Sequence, residues 1–167
     1  MSRAFVSEDR HEEPKFIPPR APLPDGVINY VTPKGLEELE IELKTWEEKL
    51  QLLLEKEENE QERRREANFI NGSMALLKER IVSAVVVDIN NQPKDEIRFG
   101  AIVNLKIAKA SKQTLQIVGV DEADVKERKI AFTSPLAKAI IGKKEGETAI
   151  LNLGGESRPV IIYKITY

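Results

Sequence analysis

The sequence predicts an α+β protein: an N-terminal antiparallel α-helical coiled-coil hairpin followed by a domain of antiparallel sheet plus one helix. Three observations predict it. Two apolar seams step at three- and four-residue intervals, one from Leu36 to Leu53 and one from Ile70 to Ala84, with only charged and amide residues from Glu55 to Glu66 between them. Beyond residue 87 the helical period gives way to short apolar or alternating segments separated by turn residues. Near the C-terminus, Gly154-Gly155 joins two such segments in the manner of a tight antiparallel turn.

Taken in order, residues 1–29 hold Pro14, Pro18, Pro19, Pro22 and Pro24 among mixed charges, with Phe5, Phe16 and Ile17 as the few large apolar groups. Such a segment buries too little to offset its chain entropy, so a flexible proline-rich arm is expected. His11 lies here without a second ligand type beside it and reads as a solvated side chain. The hairpin is expected over residues 30–87. Thr32 before Pro33 is a helix start, because the hydroxyl can cap free N–H groups and a proline at the first helical position leaves none unsatisfied. Leu36, Leu39, Leu43, Trp46, Leu50 and Leu53 form the first seam; Ile70, Met74, Leu77, Ile81 and Ala84 form the second. Two antiparallel arms satisfy both within one chain, with the turn in Glu57 to Glu62. The second domain is expected over residues 88–167. Its strands are read at 101–108, 114–120, 129–133, 148–153 and 158–167, and its helix starts at Ser134-Pro135 and stops at Gly142.

Composition narrows the class. The 167 residues include no cysteine and no apolar run long enough to span a bilayer, so neither a disulfide framework nor a membrane segment is expected. No apolar signal stretch marks the N-terminus, which makes a cytoplasmic protein the expectation. The net charge of −2 hides an asymmetry: residues 32–84 carry thirteen acids and nine bases, residues 85–167 ten acids and thirteen bases. No nucleophile–base pair, metal-ligand cluster or phosphate loop supports an autonomous enzyme.

Over residues 30–167 the chain resembles the Gre family of bacterial transcription elongation factors. The resemblance is carried by Phe99-Gly100-Ala101, Ile117-Val118-Gly119, Asp121-Glu122-Ala123-Asp124 and the run from Ser134 to Lys143. Thr32, Gly35, Leu36, Leu39, Glu42 and Leu43 resemble the family's opening helix, and Asn71-Gly72 through Ala84 and Asp88 its returning one. It implies an FKBP-like C-terminal domain that binds RNA polymerase beside the secondary channel and a coiled coil that enters the channel. In the family, tip carboxylates help hold the second catalytic magnesium while the polymerase cleaves its own backtracked transcript, a two-metal hydrolysis to which the factor lends ligands. The FKBP-like fold does not itself imply prolyl isomerase activity.

The departure lies at the tip. The family's Asp-x-x-Glu-Asn pattern is absent, and Glu57, Glu58, Glu60 and Glu62 stand in its region, interleaved with Asn59, Gln61 and Arg63 to Arg65. Against the family the hairpin is roughly fourteen residues short, which at about 1.5 Å per residue in each arm retracts the tip by about 10 Å. The glutamates read either as a surrogate acid cluster or as a solvated turn paired with the arginines, and the second reading is favoured. No cofactor and no metal site of its own is expected, with transient contact to polymerase-bound magnesium as the competing reading. The resemblance places Asp121, Glu122, Asp124, Ser134, Pro135 and Lys138 as polymerase-binding candidates. The expected function is regulation of elongation by channel occupancy, by a monomer whose contact with nucleic acid is only through the polymerase. The alternatives are a cleavage-stimulating factor using the tip glutamates, and an adaptor resembling the regulators of nucleoside diphosphate kinase.

Overall fold

The computed structural model describes residues 13–56 and 59–167. A short strand, β1 (Asn29–Val31), leads into helix α1 (Pro33–Glu55) and helix α2 (Glu60–Ser83), and the chain returns through β2 (Ala84–Val86). The expected helix start is present: Thr32 is the N-cap, its hydroxyl accepting from the Gly35 N–H at 2.9 Å, with Pro33 at the first position. Both seams face each other. Leu39, Leu53, Ile70, Met74 and Leu77 are buried, and Trp46 meets Phe69 edge-on with ring centroids 6.0 Å apart.

The reversal between the arms lies within the expected stretch from Glu57 to Glu62: α1 closes at Lys56 and Asn59 caps α2 by accepting from the Gln61 N–H at 2.9 Å, which puts Glu60 and Glu62 in the first helical turn. Acids there complement the positive end of the helix dipole, so helix is favoured over loop. Ala84 leaves the seam to begin β2. β1 and β2 pair in parallel, Tyr30 opposite Val85, which ties the entry and exit of the hairpin together at its base.

After a 3-10 turn at Ile89–Asn91 come β3 (Ile102–Ile107), β4 (Gln113–Val118), β5 (Lys129–Ala131), helix α3 (Pro135–Ile140), β6 (Thr148–Leu153) and β7 (Glu156–Thr166). They form a five-stranded sheet in the order β5-β4-β3-β7-β6, antiparallel except for β4 with β5. The α+β expectation therefore holds. Side chains alternate across the strands, and the inward set, Val103, Leu105, Ile117, Val160 and Ile162, packs with Ala137 and Ile140 of α3 in one core. Ser134 caps α3 by accepting from the Ala137 N–H at 3.2 Å, and Gly142 stops it at a φ of +84° that costs glycine little. Gly154 and Gly155, both at positive φ, make the turn between β6 and β7.

Residues 13–28, read from sequence as part of a flexible arm, run alongside the hairpin without regular secondary structure and make specific side-chain contacts with it. Their anchors are one arginine, one isoleucine and one lysine, too few to register as a hydrophobic pattern. His11 and Phe5 lie outside the described residues.

Candidate functional site

Two places carry the candidate residues: the hairpin tip, and the junction where hairpin and globular domain meet. At the tip Glu57 and Glu58 lie outside the described residues. Glu60 and Glu62 are exposed on the first turn of α2. Glu60 accepts from Arg64 at 2.7 Å, one helical turn on, with both side chains more than two-thirds solvent-exposed. A pair in that setting contributes a few tenths of a kcal/mol. Among the described residues no group of three or more carboxylates or histidines is arranged to hold a metal ion.

At the junction, Asp121 and Glu122, both expected on a polymerase-facing surface, turn their carboxylates inward. Glu122 is 9% exposed. It accepts from the Thr32 hydroxyl at 2.5 Å, from the Thr32 N–H at 3.2 Å and from the Gly119 N–H at 3.4 Å. This carboxylate thus holds the capping residue of α1 against the end of β4. Two glycines make room for it. A Cβ at Gly35 would overlap the Glu122 carboxyl carbon, and a Cβ at Gly119 would come within 2.7 Å of the Tyr30 carbonyl oxygen. Only a bare backbone allows that approach. A buried carboxylate is costly unless hydrogen-bonded, and here three donors converge on it.

The Asp121 side chain is 5% exposed and meets two arginines. Arg20 Nε donates to its Oδ1 at 2.8 Å, and Arg80 Nη1 of α2 stands 3.8 Å from its Oδ2, an ion-pair distance beyond hydrogen bonding. The two terminal nitrogens of Arg20 meanwhile donate to both oxygens of Glu42 on α1, at 2.9 and 3.0 Å. Burial works to lower the Arg20 pKa, but the hydrogen bonds to Glu42 and Asp121 hold it above its ordinary value. The same hydrogen bond from Arg20 holds Glu42 below the usual carboxylate range. Neither the Arg20 fork nor the burial of Asp121 has a signal in a sequence where acids and bases alternate.

The other candidates do face solvent. Asp124, Pro135 and Lys138 are exposed and Ser134 is half-buried, spending its hydroxyl on the cap of α3. Beside them lies a cluster the sequence reading missed: Tyr30, Phe99 and Phe132 meet pairwise with ring centroids 5.7–5.9 Å apart and line an open pocket with Arg98 and Ile141. Three aromatics far apart in sequence could have been found only through the β1–β2 pairing that brings Tyr30 to the globular domain. No helix among the described residues is long and apolar enough to cross a membrane.

The family model "Transcription elongation factor, GreA/GreB, C-term" matches residues 92–167. Transcription elongation factor GreA of Hyphomonas neptunium is 39% identical over 101 residues, covering 60% of this chain and 64% of that protein. That match thus spans a little under two thirds of its relative. Transcription elongation factor GreA of Brucella suis is 34% identical over 152 residues, covering 82% of this chain and 96% of that protein. Since 82% of 167 residues is about 137, about fifteen of those 152 aligned positions have no residue in this chain. Among solved structures, the GreA factor homolog 1 of Thermus thermophilus aligns at 22% identity and a TM-score of 0.38, covering 83% of this chain and 98% of that one.

Proposed function

The chain belongs to the GreA/GreB family of transcription elongation factors, and from that premise we propose that it binds bacterial RNA polymerase through its C-terminal domain and regulates elongation by occupying the secondary channel with a shortened hairpin. It contributes little to transcript cleavage and is not itself an enzyme. Its dealings with nucleic acid run through the polymerase.

The observation that carries this reading is the length of the arms. α1 has 23 residues and α2 has 24, so each arm extends about 35 Å at 1.5 Å per residue. The gap of about fifteen positions against the Brucella protein matches, in size, the shortening inferred from the tip region. If that gap is shared between the arms, the tip is retracted by about 10 Å. Carboxylate oxygens ligate magnesium at about 2 Å, and a rotamer change does not recover such a deficit. The chemistry at the tip agrees: Glu60 already pairs with Arg64, and three consecutive arginines, Arg63 to Arg65, follow the tip glutamates directly. A site meant to hold a divalent cation gains nothing from cations within one helical turn.

Asp124, Pro135 and Lys138, with the aromatic pocket beside α3, are the proposed polymerase-facing set. Asp121 and Glu122 instead orient the hairpin. The test is a transcript-cleavage assay on a stalled, backtracked polymerase. The expected result is cleavage no faster than with polymerase alone, together with a concentration-dependent change in elongation rate. Robust cleavage that disappears when Glu57, Glu58, Glu60 and Glu62 are replaced by alanine would overturn the occupancy reading.

A further inference from the structure

The segment that precedes β1 makes contacts no proline-rich tail needs. Near the tip, Lys15 pairs with Glu66 of α2. Midway, the Ile17 side chain lies over Gly72, where the bare backbone leaves room that a Cβ would fill. At the base Arg20 bridges Glu42 and Asp121, and the next carbonyl, that of Ala21, accepts from Arg80 of α2. The segment therefore touches both arms of the hairpin and the globular domain within seven residues.

From this placement we propose that residues 15–21 are an intramolecular strap that fixes the angle between hairpin and globular domain, with Arg20 as its positioning residue. The hydrogen bonds of Glu122 to Thr32, and its close packing on Gly35, sit at the first turn of the helix. Contacts gathered at one point make a pivot, and domains joined by a small interface move relative to one another by default. Glu42 lies seven residues beyond Gly35, about 10 Å farther along the helix. Through Arg20 it is tied to Asp121, so a second fixed point stands away from the first and the pivot becomes a joint of set angle. Arginine is required for this. Its planar fork satisfies one carboxylate through Nε and a second through both terminal nitrogens, whereas an ammonium carries the charge without that geometry. Proline at 18 and 19 stiffens the approach to Arg20, since both φ angles are restricted before docking.

The inference concerns this chain alone and stands whether or not the polymerase reading holds. Because the sequence has no cysteine, spin labels can be placed cleanly on Gln51→Cys near the tip and Ser111→Cys in the globular domain, both exposed positions. Pulsed dipolar spectroscopy on the full chain should give one narrow distance distribution. Arg20→Ala and Arg20→Lys should each shift it or broaden it about twofold or more, while circular dichroism reports the same helix content. Phe16→Ala, on an exposed strap residue, should leave the distribution unchanged. Should Arg20→Ala fail to fold, the lysine variant decides alone. A distribution for a folded Arg20 variant that superimposes on the parent's would overturn the proposal, as would full retention of the parent distribution by the lysine variant.

Discussion

Replacing Gly35 by alanine should destabilise the protein, although helix propensity argues the opposite. Gly35 is the third residue of α1, where alanine is worth about 1 kcal/mol more than glycine on propensity alone. The junction reverses the sign. The new methyl group claims the space of the Glu122 carboxyl group, which can yield only by giving up its bonds to Thr32 at 2.5 and 3.2 Å. Each charge-assisted bond of that kind contributes about 1.5–3 kcal/mol, so the loss is about 3–6 against a gain of about 1. The net expectation is a destabilisation of about 2–5 kcal/mol, or a fall in melting temperature of roughly 5–15 °C for a chain of this size. The decisive comparison is a double-mutant cycle. With Glu122→Ala already in place the carboxyl group is gone, and Gly35→Ala should become neutral or stabilising by about 1 kcal/mol. Urea unfolding followed by Trp46 fluorescence, the single tryptophan lying on α1, measures all four proteins. A Gly35→Ala protein that is more stable than the parent, or an equal loss in both backgrounds, would refute the reasoning.

The same logic extends to other positions. Gly72→Ala should also fail to stabilise α2 as propensity suggests, because the methyl displaces Ile17; faster tryptic cleavage at Lys15 and Arg20 would register the lifted strap. Glu42 titrates below its ordinary 4.5 because of the hydrogen bond from Arg20. Its stabilising contribution is therefore complete above that ordinary value and is lost as pH falls through the lowered one. Urea midpoints measured down the acid range should fall less steeply for Glu42→Gln than for the parent. Ser134→Ala removes the cap of α3 and should cost about 1 kcal/mol, whereas Lys138→Glu on the exposed face should leave stability within about 0.5 kcal/mol and weaken retention of the protein on immobilised polymerase.

Much of the architecture was legible because it rests on local physics. Thr32-Pro33, the two seams and Gly154-Gly155 each act over a few residues, and each lies where its chemistry places it. What stayed hidden depends on contacts between residues remote in sequence. β1 and β2 are three residues long, too short to show a period, and pair across 55 positions. The buried roles of Asp121 and Glu122 could not be read from adjacent acids, since a carboxylate is affordable inside only when its donors come from elsewhere: Thr32, ninety residues before Glu122, and Arg20, about a hundred before Asp121. The strap escaped notice for a related reason. Proline-rich composition speaks to what a segment cannot bury, and says nothing of an arginine fork whose two acceptors lie on different domains. At the tip, by contrast, the sequence alone shows an acidic stretch without an aspartate between Leu54 and Phe69.

The central claim is one of reach, and it is measured most directly as a distance in a complex with backtracked RNA polymerase. With the globular domain docked beside the secondary channel, the Glu60 and Glu62 carboxylates should stand about 10 Å from the catalytic magnesium, with the channel filled behind them. A carboxylate oxygen of Glu57, Glu58, Glu60 or Glu62 at about 2 Å from that ion would contradict the account.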